Sequence, residues 1–282
     1  MCLPPSSPPG AEVGAPLIAH PDVRLVSFTG GTATGKHVGA SASSNFKKLS
    51  LELGGKNATI VFDDCDFDKT VEGVFRSSFL NSGQICLCGS RLFVQRGIYE
   101  RFMGALIEKV RATTVGDPAT STIGSLTSLQ HREKIEFYVA LAKEEGGTIL
   151  CGGERPQLPA PFSEGAFYLP TLIGGLPVDS RCSREEIFGP VVVVHCFDDE
   201  TEVIAWANNT RYGLAGSVWT QHLQRAHKVA QSIRTGMIWV NCWLKRDLRV
   251  PFGGIGDSGI GREGGSHSID FYSELKNICI QL

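Results

Sequence analysis

The chain has 282 residues, 42% of them hydrophobic and 20% charged, a balance that suits a soluble packed protein and excludes a disordered one. A net charge of −2 supplies no basic excess for a nucleic-acid surface, so small molecules are the expected partners. The length exceeds the roughly 100–200 residues of a usual domain, so one large domain or two unequal ones is expected.

Residues 1–16 are punctuated by Pro and Gly and read as a loose lead-in, with order beginning near Leu17. The first nine residues have neither a basic n-region nor an apolar h-region, and no apolar run reaches the ~18 residues of a membrane span. The nine cysteines (2, 65, 86, 88, 151, 182, 196, 242 and 279) are odd in number and scattered, as free thiols in a reducing compartment are. Only Cys86 and Cys88 stand close, without the second pair or His cluster that zinc requires, so no metal is expected. The expected location is cytoplasmic.

Arg24 to Phe28 is a short apolar run that stops at Gly30-Gly31, and a helix opens near Thr34. Leu49–Leu53 and Thr59–Phe62 are strand-like. Asp66 then caps a helix carrying Phe67, Val71, Val74, Phe75 and Phe79 at helical spacing. Arg91–Gln95 reads as a strand and Tyr99–Val110 as an amphipathic helix. Further on come a helix near Arg132–Glu145, a strand Val191–Val194, a capping box at Asp199 and Glu202, a helix Leu223–Arg234 stopped by Gly236, and a strand Met237–Asn241. Strands alternating with helices give an α/β fold with a parallel sheet.

Four ordered segments carry chemistry. They are Leu49-Ser-Leu-Glu52-Leu-Gly-Gly-Lys56; Phe79-Leu-Asn-Ser-Gly-Gln-Ile-Cys86; Glu185-Glu-Ile-Phe-Gly-Pro190; and Pro251-Phe-Gly-Gly254 leading to Ser258-Gly-Ile-Gly-Arg-Glu263. Together they resemble the aldehyde dehydrogenase superfamily over nearly the whole chain from about Gly14. The resemblance implies a parallel-sheet catalytic domain over 55–270, the remnant of a Rossmann-like NAD-binding domain over 17–54, and a C-terminal oligomerisation strand over 271–282.

The same resemblance implies that Cys86 is the nucleophile, since a thiolate adds readily to an aldehyde and a thioester is a good acyl intermediate. The Cys86 backbone N–H would stabilise the oxyanion, and Glu52 would activate the hydrolytic water, a role suited to a buried acid with a raised pKa. Glu186 would bind the nicotinamide ribose and Phe188 pack near the ring, with NAD as cofactor. Gly30, Gly31 and Gly35, with Leu53, complete the implied cofactor set; the turn resembles the family's Phe-Thr-Gly turn, where a helix N-terminus meets pyrophosphate. The same turn nearly spells a P-loop, Gly30-x4-Gly35-Lys36, but His37 stands where Mg²⁺ coordination needs Ser or Thr.

Asn241 to Arg249 precedes Phe252 in the region that lines the substrate pocket of relatives, and this loop looks most like the muconic-semialdehyde dehydrogenases. Arg246 first and Arg249 second are the expected clamp for a substrate carboxylate, with Phe252 beside them. The implied substrate is a small carboxylated semialdehyde of the 2-aminomuconic or 2-hydroxymuconic type, as in kynurenine breakdown, with retinal a further candidate. Family members carry a long segment before the Phe28-Thr-Gly turn, and this sequence has a short lead-in there. The oxyanion Asn and adenosine-ribose Lys of that segment are therefore assigned to no residue here; Asn81 reads as a structural cap. Two readings stay open: an active homo-oligomeric dehydrogenase, and a catalytically inactive chain that keeps the fold and its oligomerisation surface.

Overall fold

The computed structural model describes residues 10–282, so the first nine residues of the lead-in, with Cys2, lie outside the described residues. The chain divides into two compact units: Asp247–Leu282 with the described part of 1–54, and Gly55–Arg246.

In the first unit, strand Leu25–Thr29 pairs in parallel with Lys48–Glu52, whose other edge takes the short antiparallel strand Gly259–Ile260. Helix Thr32–Ser43 makes the crossover between the parallel pair. Its buried Val38 shares an apolar cluster with Leu51 and Leu53, and Ala42, one turn on, is also buried. Gly35 belongs to the same packing, because a Cβ there would overlap the Leu53 side chain.

Three expectations for this unit are corrected. Residues 10–19 form a helix with Pro16 inside it, where a loose lead-in through residue 16 was expected. Its Ile18 packs against the cluster around Leu51, and that contact outweighs the Pro/Gly punctuation. Residues 247–270 group with the first unit and not with the catalytic one. The cause is local: Leu53 N donates to Ser258 O at 2.9 Å, and Ser258 Oγ donates to Gly54 O at 2.7 Å. The expected terminal strand is not formed: helix Gly265–Tyr272 is followed by residues 274–282 without a regular element. Leu275, Ile278, Ile280 and Leu282 are exposed, and alternation alone makes no strand without a ladder partner.

The second unit is built on a seven-stranded sheet in the order Met237–Val240, Ala215–Trp219, Ala58–Val61, Arg91–Gln95, Val191–Phe197, Thr171–Gly174, Thr148–Cys151. All neighbours are parallel except the last pair. Successive residues of the central strands bury opposite faces. Leu92, Val94, Val192 and Val194 join helices Phe67–Phe79 and Tyr99–Arg111 in one cluster. Phe93 packs with helices Glu200–Asn208 and Leu223–Ser232 on the other face, while Val191 and Val193 meet helix Leu129–Glu144. Both faces are covered, so these strands read as continuous apolar runs without alternation.

The edge strand Thr148–Cys151 and its neighbour Thr171–Gly174 were not anticipated from the sequence. The cap at Asp199 forms as expected, Oδ1 accepting from Thr201 N and Glu202 N at 2.8 and 2.9 Å. Asp66 occupies its N-cap position without a side-chain hydrogen bond; its main-chain carbonyl accepts from Thr70 N.

Candidate active site

Helix Phe67–Phe79 ends in a turn whose next residues lie in left-handed backbone: Asn81 at φ 53°, Ser82 at 56° and Gly83 at 68°. Such a run is costly for side-chain-bearing residues and needs partners to hold it. Asn81 Nδ2 donates to Gln84 O at 3.1 Å, Ser82 Oγ donates to Gly124 O at 3.0 Å, and Gln84 Oε1 accepts from Thr127 N at 2.9 Å. Gly83 is required because a Cβ there would overlap the Gly189 carbonyl.

The turn delivers Cys86, half-buried, and Cys88, buried. Buried Asn57, just before strand Ala58–Val61, donates through Nδ2 to Cys86 O at 2.7 Å and to Cys88 O at 2.8 Å. Asn57 Oδ1 accepts from Ala215 N at 3.1 Å, tying the loop to the neighbouring strand. Trp243 Nε1 donates to Leu87 O at 3.0 Å. Burial pushes the Cys88 thiol up to about 12, so Cys88 serves as a small hydrophobe, and Cys86 is the more accessible thiol of the pair.

Cys86 lines one cavity with Gly55, Ser90, Glu186, Phe188 and Gly189. Glu186 Oε1 accepts from Gly55 N at 3.0 Å. Burial raises the Glu186 pKa, and the Gly55 hydrogen bond with the charges of Lys134 and Lys56 opposes that rise. Phe188 is 36% exposed and sits in left-handed backbone at φ 61°.

Beside this cavity the structure shows a residue that the sequence reading passed over. Lys56 is 1% exposed, and its Nζ has no hydrogen-bond partner. Burial, then the Arg91 charge, lower its pKa to about 7. Arg91 is itself buried, donating through Nε to Lys56 O at 2.9 Å and through Nη2 to Ala207 O at 2.7 Å. The Gly-Gly-Lys motif contained Lys56, but nothing in the sequence distinguishes a buried lysine from a strand-edge one.

In the first unit, Glu52 ends strand Lys48–Glu52 at 6% exposure, and its Oε1 has no hydrogen-bond partner. Burial raises its pKa to about 7, reinforced by Glu263 and opposed by Arg262. Gly253 admits this carboxylate, since a Cβ there would lie 2.9 Å from Glu52 Oε1. Gly30 N donates to Glu52 O at 3.1 Å, and Leu53 is buried behind the strand. Gly31 caps helix Thr32–Ser43 without a side-chain hydrogen bond, and a Cβ on it would meet nothing within 4 Å. Lys36 forms an ion pair with Asp257 at 3.3 Å.

Of the expected substrate residues, Arg246 is exposed and Phe252 is half-buried, its backbone paired with Glu263 at 2.8 Å in both directions. Arg249 already has a partner within the chain. Its guanidinium is held by Asp247, Nε to Oδ1 at 2.9 Å and Nη2 to Oδ2 at 2.6 Å. An internal carboxylate two residues away thus occupies the fork that a substrate was expected to fill. Among the described residues no helix is long and apolar enough to cross a membrane, and no group of three or more His, Cys, Asp or Glu is placed to hold a metal ion.

The chain is 50% identical over 273 residues to the 2-aminomuconic 6-semialdehyde dehydrogenase of Pseudomonas sp, covering 96% of this chain and 56% of that protein. It is 47% identical to human 2-aminomuconic semialdehyde dehydrogenase, covering 96% and 57%. It therefore spans just over half the length of these relatives. A crystal structure of betaine aldehyde dehydrogenase from Staphylococcus aureus in complex with NAD+ matches with a TM-score of 0.90 at 41% identity, over 94% of this chain and 53% of that one. The profile of the aldehyde dehydrogenase family matches residues 6–278, and the chain belongs to that family.

Proposed function

We propose that this chain oxidises an aldehyde to its carboxylic acid with NAD, Cys86 acting as nucleophile. The observation that carries this reading is the cavity in which half-buried Cys86 meets Glu186 and Phe188. The Cys86 thiolate adds to the aldehyde carbon and forms a thiohemiacetal, whose oxyanion the Cys86 N–H stabilises. Loss of hydride from that carbon leaves a thioester on Cys86; NAD, when bound, supplies the hydride acceptor. Glu52 takes a proton from the water that hydrolyses the thioester, and its pKa of about 7 suits a general base at neutral pH.

The residues present fit the cofactor. Helix Thr32–Ser43 opens behind Gly31 without a side-chain cap, and its N–H groups would hold the pyrophosphate. Gly30, Gly35 and Leu53 shape that turn, Glu186 holds the nicotinamide ribose and Phe188 packs near the ring. Residues 17–54 thus act as part of an NAD-binding domain, and 271–282 as an oligomerisation segment of a cytoplasmic homo-oligomer.

The relatives' names favour a small carboxylated semialdehyde of the muconic type, as in kynurenine breakdown, with Arg246 binding its carboxylate and Phe252 its carbon skeleton. Mass spectrometry after incubation with NAD and 2-hydroxymuconic semialdehyde tests the reading. Glu52→Gln accumulates an acyl adduct on Cys86; no adduct in either form contradicts the assignment. A second reading is a catalytically inactive chain that keeps only fold and assembly surface. NAD binding without any Cys86 adduct supports it.

A further inference from the structure

One face of helix Leu129–Glu144 contacts the loop Glu185–Gly189 nearly residue by residue. Tyr138 Oη donates to Glu185 Oε2 at 2.8 Å, and Lys134 Nζ donates to Glu186 O at 3.2 Å. His131 Nε2 lies 2.6 Å from Phe188 O, and a Cβ on Gly189 would overlap Ile135. Residues 131, 134, 135 and 138 follow the i, i+3, i+4, i+7 spacing of a single helical face. The same loop forms the wall of the Cys86 cavity that carries Glu186 and Phe188.

The contact at Phe188 differs in kind from its neighbours. Left-handed backbone is rare for a bulky side chain and persists only where its surroundings hold it. Phe188, at φ 61°, is such a residue, and its carbonyl accepts the short bond from the His131 ring. The two rings also meet edge-on, with centroids 6.0 Å apart. Since a carbonyl only accepts, His131 must carry its proton on Nε2.

We propose that His131 is a positioning residue, whose hydrogen bond to the Phe188 carbonyl holds that residue's left-handed backbone and so keeps Glu186 and Phe188 at the Cys86 cavity. Its value for the reaction rests on the cofactor roles proposed above for Glu186 and Phe188. Without the bond, Phe188 relaxes to negative φ and the carbonyls of the loop turn away from the helix. His131 is half-buried on the helix surface, so its replacement leaves the core intact.

Hydrogen–deuterium exchange of the peptide spanning 185–191, in the chain without cofactor, tests the bond directly. His131→Leu raises exchange there by about tenfold, and His131→Gln, whose amide still donates, restores protection. NAD titration of the same variants gives a dissociation constant about tenfold weaker for His131→Leu and within about twofold of the parent for His131→Gln. Unchanged exchange in His131→Leu overturns the inference whatever the nucleotide does. Raised exchange with unchanged NAD affinity also overturns it, because the loop is then held without positioning anything. Failure of the unsubstituted chain to bind NAD counts against the cofactor reading alone, and the exchange result still decides whether His131 holds the loop.

Discussion

Asn57 is joined to Cys86 by a 2.7 Å hydrogen bond from its side-chain amide to the Cys86 carbonyl, and the same nitrogen reaches the Cys88 carbonyl at 2.8 Å. The strand beginning at Ala58 therefore sets the conformation of the thiol loop through a residue 29 positions upstream of the cysteine. Asn57→Leu leaves two carbonyls and the Ala215 N–H unsatisfied in a buried site, a loss of roughly 2–4 kcal/mol. Denaturant unfolding checks the stability, and the rate of Cys86 alkylation by iodoacetamide, expected to change with the loop, checks the position.

Glu52 makes stability depend on pH. Its folded pKa of about 7 lies above the ordinary 4.5, so between those values the folded state binds more protons than the unfolded one. Stability therefore falls as pH rises from 4.5 through 7, and the penalty is complete above 7. Glu52→Gln is expected to be more stable than the parent at pH 8, by on the order of 1–3 kcal/mol. The gain vanishes near pH 4.5, and thermal melts across this range read the difference. The same substitution should stop thioester hydrolysis.

Lys56 has the opposite sign. Its folded pKa of about 7 lies below the ordinary 10.5, so the unfolded state binds more protons between them and stability rises with pH over that window. Lys56→Met replaces an unpartnered buried amine with an apolar chain of similar length. It should stabilise the protein at pH 7, with the advantage shrinking as pH approaches 10. Urea unfolding at both pH values measures this.

Arg246 and Arg249 separate in their expected effect on a carboxylated semialdehyde. Arg249 is already paired with Asp247, so Arg249→Ala leaves KM within about twofold. Arg246→Ala raises KM by about tenfold or more if it binds the carboxylate, and leaves KM for an uncharged aldehyde unchanged. Steady-state kinetics on both substrates checks the pair.

Much of this architecture was legible in the sequence. Strand Arg91–Gln95 and helix Tyr99–Arg111 were anticipated within a residue, because strong apolar patterning over a buried sheet leaves few alternatives. The edge strand Thr148–Cys151 and its neighbour Thr171–Gly174 were missed, since their surrounding segment is Gly- and Pro-rich and their pairing is set by the sheet. The positions of Cys86 and Glu186 came from motifs. Their supports did not: Asn57 and His131 act through partners 29 and 57 residues away, which local patterning does not reveal. Arg249, expected to meet a substrate, is instead paired with a carboxylate two residues away that the sequence displayed openly.

The central claim, that Cys86 makes this chain an NAD-dependent aldehyde dehydrogenase, is met most directly by NADH formation from NAD and 2-hydroxymuconic semialdehyde. The purified chain and its Cys86→Ser variant are compared after both are shown to be folded. Turnover by the parent and a loss of at least about a thousandfold in the variant is the predicted result. Equal rates in the two, or no NADH from the folded parent, would contradict it.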